Sequence, residues 1–367
     1  MSIIKLPGAI DLHVHLREPS DNKAETIKNG SLAAAHGGFS LICDMPNNPG
    51  NPTWTVAKLK EKIAIAKKNA TVTTLFYAGS QPESNNIAQL ESMASAGAVG
   101  LKLYGAPTTG NDKDYTAKDF EQIIKEWHRV APDKPIMLHA GADNLEDLIN
   151  LVTKKYSHHL HICHVHSSKA VKLINSYKTK GYKISCGVCP HHLLKTSHET
   201  LGKGWFSRMQ PPLANQDEAE SLLKLFAGGA IDLLESDYAP HTKDYKLAAE
   251  TNNPHGVHKP THTTCFGVPG IEHIMPIMLS LVRKNIISLD RLIDATHTQP
   301  IKVLGLDKNT FGPAKNYAKW DISDQSVKRI SEKDVISGSD WSPYVGYIAG
   351  GKLIKLVSSG KIVHETK

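Results

Sequence analysis

The feature that most constrains the fold is a regular alternation of short apolar segments with segments of helical periodicity. Eight apolar or β-branched segments have the length of strands and end in polar residues. These candidate strands span residues 9–15, 39–44, 72–77, 99–103, 135–139, 160–164, 183–187 and 232–237.

The segments between these strands carry apolar residues at helical spacing, as at Phe120, Ile123, Ile124 and Trp127. Strands that alternate with helices pair in parallel through right-handed crossovers. Eight such units predict a closed (β/α)8 barrel of the TIM type better than the alternative, an open doubly wound sheet.

The rest of the chain has a different character. Residues 242–269 form a long polar stretch that predicts a loop over the barrel mouth, and residues 270–304 have helical character. From residue 312 onward the pattern is strand-like and rich in turns. We therefore expect a barrel domain over residues 1–311 and a C-terminal extension, residues 312–367, that packs on it.

Composition excludes several classes of protein. Hydrophobic residues make up 40% and charged residues 22%, which argues against disorder. No apolar run approaches the roughly 18 residues of a membrane span. The formal charge of +7 is scattered, and aromatic residues, at 6%, are not interleaved with it, so we expect no nucleic-acid partner.

The N-terminal residues show no basic and apolar leader, so a cytoplasmic location is expected. In that reducing compartment the five cysteines should be thiols. Cys186 and Cys189 have C-x-x-C spacing, but a single pair cannot close a zinc site, and we expect structural thiols.

Histidine is unusually frequent, with 20 copies, and several fall where a barrel places its chemistry. His13 and His15 end the first strand and point to the same side, because strand side chains alternate. His139, His164 and Asp237 end the fifth, sixth and eighth strands. Nitrogen and carboxylate ligands converging at one mouth predict a site for zinc or a similar divalent ion.

Lys102 ends the fourth strand among apolar neighbours that would place it inside the barrel. An unpaired ammonium group is costly to bury. If this lysine reacts with carbon dioxide to form a carbamate, it becomes an anionic oxygen donor that can bridge two ions.

Six segments carry recognisable motifs, among them His-Leu-Arg-Glu-Pro at residues 15–19 and Met-Pro-Asn at residues 45–47. The segments are residues 7–19, 44–47, 100–104, 161–165, 190–193 and 236–241. They resemble those of the dihydroorotases of the amidohydrolase superfamily, particularly the dihydroorotase domain of the multifunctional animal pyrimidine enzyme. The resemblance covers residues 6–305 and continues weakly to the C-terminus. The metal motif is shared with hydantoinases and allantoinases, whereas the two quoted motifs are more particular to dihydroorotases.

The resemblance implies two zinc ions per chain. His13, His15 and Asp237 would hold the first ion, and His139 and His164 the second. Carbamylated Lys102 would bridge the two ions together with a hydroxide. An accessory β-sandwich, common in the superfamily, would be absent or reduced to the C-terminal segment.

The resemblance also implies a reaction, the reversible cyclisation of N-carbamoyl-L-aspartate to L-dihydroorotate in pyrimidine biosynthesis. Asp237 would act as the catalytic base and then as the acid. The implied substrate-binding residues are Arg17, Asn47 and His241 for the carboxylate, Pro269 and Gly270 through backbone contacts, and Thr108 and Thr109 in a mobile loop.

Four positions depart from the family pattern. Tyr238 replaces a usual His, Gly141 and Gly187 stand where Glu is common, and Gln210 stands where Asn or Arg is frequent. The change at Gly187 would remove the acidic ligand of any third metal site.

Two other functions stay open. One is another cyclic amidase of the hydantoinase or allantoinase type, and the other is a non-catalytic partner of aspartate carbamoyltransferase. We further expect a homodimer, with a possible association with aspartate carbamoyltransferase for the enzyme as well.

Overall fold

The computed structural model describes residues 3–20, 24–109, 111–200, 204–252 and 265–366. Within these ranges, an N-terminal strand is followed by nine strand segments that pair in parallel and form the wall of a barrel. The strands are Ile3–Pro7 (β1), Ala9–Val14 (β2), Phe39–Asp44 (β3), Thr73–Phe76 (β4), Ala78–Gly79 (β5), Leu101–Tyr104 (β6), Ile136–His139 (β7), Leu160–Ile162 (β8), Ile184–Val188 (β9) and Leu233–Leu234 (β10).

These segments form a closed ring rather than an open sheet. β4 and β5 are two halves of one barrel strand, interrupted at Tyr77, because β4 pairs with β3 and β5 pairs with β6. The ring closes where Val14 forms a parallel bridge with Tyr238 and the His15 N–H donates to the Tyr238 carbonyl over 2.7 Å. The predicted eight-stranded barrel is confirmed, and each candidate strand overlaps an observed one.

Helices follow most of the barrel strands. They are Ile27–His36 (α1), Val56–Asn69 (α2), Leu90–Ser95 (α3), Ala117–Val130 (α4), Leu145–Ile149 (α5), Ser168–Lys178 (α6), Pro190–Leu194 (α7), Gln216–Ala227 (α8), Lys243–Asn252 (α9), Ile271–Arg283 (α10), Leu289–Ile293 (α11), Gln299–Leu304 (α12) and Lys308–Phe311 (α13). Helices α5 and α11 continue as π-helical turns over Asn150–Lys155 and Asp294–Thr298.

Helix α4 shows how local sequence sets these elements. The Thr116 N–H donates to the Asp119 carboxylate over 2.8 Å, which caps the first turn. The predicted apolar stripe, from Phe120 to Trp127, is buried against the barrel. The N-terminal cap and the burial of one apolar face therefore both stabilise this helix.

The expectation for residues 242–269 was partly wrong. Lys243–Asn252 is helical, although the stretch was predicted to be a loop. Residues 253–264 lie outside the described residues. The predicted helical character of residues 270–304 is confirmed by α10, α11 and α12.

Both ends of the chain build a second sheet. It contains β1 and the strands Tyr317–Asp321 (β11), Lys352–Ser358 (β14) and Lys361–Glu365 (β15). Each strand is antiparallel to its neighbour in the order β1-β11-β14-β15. A separate hairpin pairs Lys328–Arg329 (β12) with Ile348–Ala349 (β13). The accessory sandwich is thus reduced to one four-stranded sheet in the described part of the chain.

This terminal sheet lies at the end of the barrel opposite the mouth. The Ser358 hydroxyl donates to the Ser40 carbonyl over 2.7 Å and accepts from the Thr73 N–H over 3.3 Å, both near the starts of barrel strands. Strand β1 belongs to this sheet, although residues 1–311 were assigned to the barrel. The boundary at residue 312 stays a prediction.

Among the helices of the described residues, none is both long and apolar enough to cross a membrane.

The packing of Trp320 against Gly38 allows a test of how strongly the terminal sheet is bound to the barrel. Its side chain is buried at 1% exposure against Gly38, where an added Cβ would overlap the indole. We expect Trp320→Ala to lower the free energy of unfolding by about 3–5 kcal/mol, measured by urea denaturation. Lys319→Ala, at the exposed neighbouring position, should change it by less than about 0.5 kcal/mol. Equal effects of the two substitutions would contradict this account.

Candidate active site

A pocket lies at the carboxyl ends of the barrel strands. Ten of the thirteen predicted site residues line it, namely His13, His15, Arg17, Asn47, Lys102, Thr108, Thr109, His139, His164 and Asp237. Residues from separate strands thus meet at one mouth.

The first group of possible metal donors comprises His13, His15 and Asp237. One donor atom from each lies within 4.8 Å of the others. Asp237 Oδ1 is 3.1 Å from His15 Nε2 and 3.4 Å from His13 Nε2. The first and eighth strands are neighbours in the closed barrel, which explains how residues 222 positions apart come together.

A second pair of possible donors lies beside the first. His139 Nδ1 and His164 Nε2 are 3.0 Å apart, and the ring centroids of His164 and His13 are 5.0 Å apart. Lys102 is fully buried, with its Nζ 3.1 Å from the Cys163 sulfur. No carboxylate of the described residues lies within ion-pair distance of this ammonium group, although its charge opposes the rise in the pKa of Asp237.

Burial sets the protonation states of these donors. It lowers the pKa of His13 to about 4 and holds the pKa values of His15, His139 and His164 well below the ordinary value. The imidazoles are therefore neutral at pH 7 and each keeps a lone pair. Burial also raises the pKa of Asp237 to about 8, against the opposing effect of Lys102. Neutral imidazoles fit a divalent ion such as zinc, and binding of the ion would displace the Asp237 proton.

The backbone is strained at three residues of the cavity. Arg17, His164 and Asp237 have φ values of 59°, 37° and 45°, in the left-handed region. Each non-glycine residue held there costs about 1–3 kcal/mol. The surrounding structure enforces these conformations, which aim all three side chains into the cavity.

Arg17 is the principal cation near the mouth of the cavity. It is 1% exposed, and its Nε and one terminal nitrogen have no hydrogen-bond partner among the described residues. An unsatisfied guanidinium group in a cavity is a ready site for a carboxylate, which can accept two parallel hydrogen bonds.

Asn47 connects the metal donors to the loop over the cavity. Its Oδ1 accepts from His15 Nδ1 over 2.8 Å, which leaves His15 Nε2 to face Asp237. Its Nδ2 donates to the Thr109 carbonyl over 3.1 Å. Thr109 in turn donates from its hydroxyl to the Phe266 carbonyl over 3.3 Å.

Three predicted substrate-binding residues do not line the cavity. His241 is buried beside it and donates from Nε2 to the Phe266 carbonyl over 3.0 Å. Gly270 lies at the start of α10 with φ of 113°, and a Cβ there would be 2.7 Å from the Ser342 hydroxyl. Pro269 precedes it and is also absent from the lining.

Sequence reasoning missed a buried carboxylate, Glu235. Its Oε2 lies 3.5 Å from both His13 Nδ1 and His161 Nε2, and its Oε1 accepts from the His164 N–H. Burial alone would raise its pKa, but the contacts with His13 and His161 hold it well below the usual range. Glu235 precedes Asp237 by two residues within the predicted eighth strand, where side chains alternate, and that spacing could have revealed it.

Glu235 packs directly against Gly187 and explains why position 187 is a glycine. A Cβ at Gly187 would lie 2.5 Å from Glu235 Oε1, so the glycine makes room for this carboxylate. The expected loss of the acidic ligand of a third metal site at Gly187 stays a prediction. One donor atom each from Glu235, His13 and Cys163 lie within 4.8 Å of one another.

Two other positions that depart from the family pattern, Gln210 and Tyr238, differ in whether they line the cavity. Gln210 lines the cavity, together with Tyr104, Ala239, Phe266 and Gly267, none of which were named as site residues. The Tyr238 hydroxyl donates to Glu25 beside α1, and its side chain does not line the cavity. Tyr238 therefore does not discriminate between a dihydroorotase and another cyclic amidase.

A parallel barrel with metal-donor groups at its mouth is an architecture of metal-dependent hydrolases. The sequence matches the Amidohydrolase family over residues 4–310, and the chain belongs to that family.

Two curated relatives are similar over almost the whole chain. A dihydroorotase of Staphylococcus epidermidis is 28% identical over 98% of this chain and 87% of its own length. The multifunctional protein pyr1-3 of Dictyostelium discoideum is 30% identical over 98% of this chain, which spans 15% of that protein. Among solved structures, the L-hydantoinase (dihydropyrimidinase) of Arthrobacter aurescens has a TM-score of 0.85 at 23% identity, over 99% of this chain and 85% of its own.

The fit between Gly187 and Glu235 can be tested with two matched substitutions. We expect Gly187→Ala to lower the free energy of unfolding by about 1–3 kcal/mol, because the new methyl group meets the buried carboxylate. Gly141→Ala is the control, since its Cβ would approach no atom closer than 3.4 Å. Thermal unfolding of both variants measures the difference, and a harmless Gly187→Ala would disprove the fit.

Proposed function

We propose that the protein is a metal-dependent dihydroorotase that interconverts N-carbamoyl-L-aspartate and L-dihydroorotate. The curated relatives named dihydroorotase support this function. The single observation that carries it is the buried, unsatisfied Arg17 in the cavity that also holds the metal donors. Dihydroorotate has both an amide bond to hydrolyse and a carboxylate to match that guanidinium group.

The two alternative functions agree less well with the site. A hydantoinase acts on an uncharged ring, which would offer no carboxylate to the two Arg17 nitrogens that lack a hydrogen-bond partner among the described residues. A non-catalytic scaffold has no need of the six predicted donors, yet all six line the cavity.

The proposed metal centre holds two zinc ions. His13, His15 and Asp237 would bind one ion, His139 and His164 the other, and carbamylated Lys102 would lie between them. Carbamylation converts the buried ammonium group into an anion and so removes the cost of its burial. When bound, two divalent ions supply polarisation of the ring amide carbonyl and water that is acidic enough to ionise near neutral pH.

The protein groups would perform the remaining chemistry. Asp237 takes the proton of the attacking water and delivers it to the leaving ring nitrogen, and in the biosynthetic direction the same transfers run backwards. Arg17 holds the carboxylate with parallel hydrogen bonds and so orients the ring. Thr108 and Thr109 lie on the loop that covers the cavity, where they would exclude solvent.

The proposal includes the predicted setting of the enzyme, a homodimer in the cytoplasm. The match of this chain to one segment of a multifunctional protein supports an association with other enzymes of pyrimidine synthesis, such as aspartate carbamoyltransferase.

Removal of the Arg17 guanidinium group distinguishes a dihydroorotase from the other cyclic amidases. Each hydrogen bond to a charged group contributes about 1.5–3 kcal/mol, so Arg17→Met should lower kcat/KM for dihydroorotate about a hundredfold or more. Dihydrouracil, which lacks the carboxylate, serves as the matched substrate and should lose only a few-fold. Steady-state assays measure both. A wild-type protein that prefers dihydrouracil or hydantoin, or an equal loss for both substrates, would contradict the proposal.

The bridging lysine has a direct spectroscopic test. After incubation with ¹³C-bicarbonate and zinc, the wild-type protein should show a carbamate ¹³C signal and about two zinc ions at the active site. Lys102→Ala should lose the signal, zinc and activity together. The control is Lys62→Met, which removes a buried lysine whose Nζ lies 2.5 Å from the Asp44 carboxylate; it should keep the signal. A wild-type protein that is active without any carbamate signal would exclude the modification.

A further inference from the structure

Three donor side chains cluster where β9 ends and α7 begins, outside the lining of the candidate active site. Cys189, His191 and His192 are buried, at 0%, 1% and 2% exposure. One donor atom from each lies within 4.8 Å of the others. The sequence had suggested only a structural thiol at Cys189.

The hydrogen bonds of His192 leave one of its nitrogens available to bind an ion. Its Nε2 donates to the Pro211 carbonyl over 3.1 Å, which places the ring proton on that nitrogen. Its Nδ1 then carries the lone pair and has no partner in the described part of the chain. Metal-binding histidines in proteins usually show this arrangement, with the second ring nitrogen held by a carbonyl or carboxylate.

His191 is still less satisfied. Within the described ranges, neither of its ring nitrogens has a hydrogen-bond partner, and its ring stands edge-on to that of His192 at 4.4 Å. A buried polar group without a partner costs about 1–3 kcal/mol. Packing alone therefore gives no reason for an imidazole here, whereas a bound ion would satisfy it.

The protonation states suit metal binding. Burial holds the pKa of His191 well below its ordinary value and lowers the pKa of His192 to about 3, so both rings are neutral at pH 7. Burial raises the pKa of the Cys189 thiol, which keeps its proton until a metal displaces it.

We propose that Cys189, His191 and His192 bind a zinc ion at a site separate from the candidate active site. Thiolate and imidazole are donors typical of zinc, and three protein donors leave the fourth position of a tetrahedral ion to water. The ion would hold the start of α7. Because His192 also binds the Pro211 carbonyl, it would steady the loop that carries Gln210 into the cavity.

Metal analysis of the whole protein tests the site without reference to catalysis. We expect Cys189→Ala to contain about one zinc ion per chain less than the wild type while keeping amidohydrolase activity. Cys186→Ala is the matched control, since this thiol is equally buried, lies three residues away and is not part of the cluster. Unchanged zinc content in Cys189→Ala would overturn the proposal.

Cobalt substitution identifies the ligand. Co²⁺ bound to a thiolate absorbs by charge transfer in the near ultraviolet, and none of the six predicted active-site donors is a thiol. The band should persist in Cys163→Ala, which removes the thiol beside Lys102, and disappear in Cys189→Ala. A band that follows Cys163 instead, or no band in the wild type, would refute the site.

Crystals of the wild-type protein test the site without any substitution, so the result does not depend on whether a variant folds. Anomalous scattering at the zinc edge should show a peak between the Cys189 sulfur and His192 Nδ1, distinct from any peak in the candidate active site. The absence of this peak in zinc-loaded crystals would overturn the proposal.

Discussion

Closure of the barrel between its eighth and first strands is the constraint on which the candidate site depends. The hydrogen bond from the His15 N–H to the Tyr238 carbonyl and the bridge from Val14 to Tyr238 join chain segments more than two hundred residues apart. Asp237 consequently faces His13 and His15. An open sheet would leave its two edge strands apart and would separate the first three metal donors.

Burial at the barrel mouth then determines the chemistry. The same loss of solvent keeps the histidines neutral, favours a protonated Asp237 and extends to Lys102, which has no ion-pair partner among the described residues. Each of these states is costly for the protein alone and is relieved by divalent ions and a carbamate. Together with the positive φ values of Arg17, His164 and Asp237, these costs indicate a site that folding preserves at the expense of stability.

The acidic group beside His13 shows how a glycine on one strand makes room for a side chain from the next. Glu235, which follows β10, occupies the space that a side chain at Gly187 would fill. This fit is possible because the neighbouring parallel strands β9 and β10 end at the same level of the barrel. Sequence reasoning considered Gly187 but not Glu235 and therefore missed the contact.

The sequence by itself determined the eight strands, the helices between them and the set of possible metal donors, because strand length, helical periodicity and alternation are local properties. It also indicated Arg17 and Asn47 through short motifs. Only the tertiary structure decided that Asn47 joins His15 to the Thr109 loop, that Tyr238 faces α1, and that His241, Pro269 and Gly270 lie outside the cavity lining. It also decided that β1 pairs with β11 rather than entering the barrel. These outcomes depend on which side chains meet after the barrel closes. The spacing of two residues in the sequence does not give the distance between their side chains in the folded barrel.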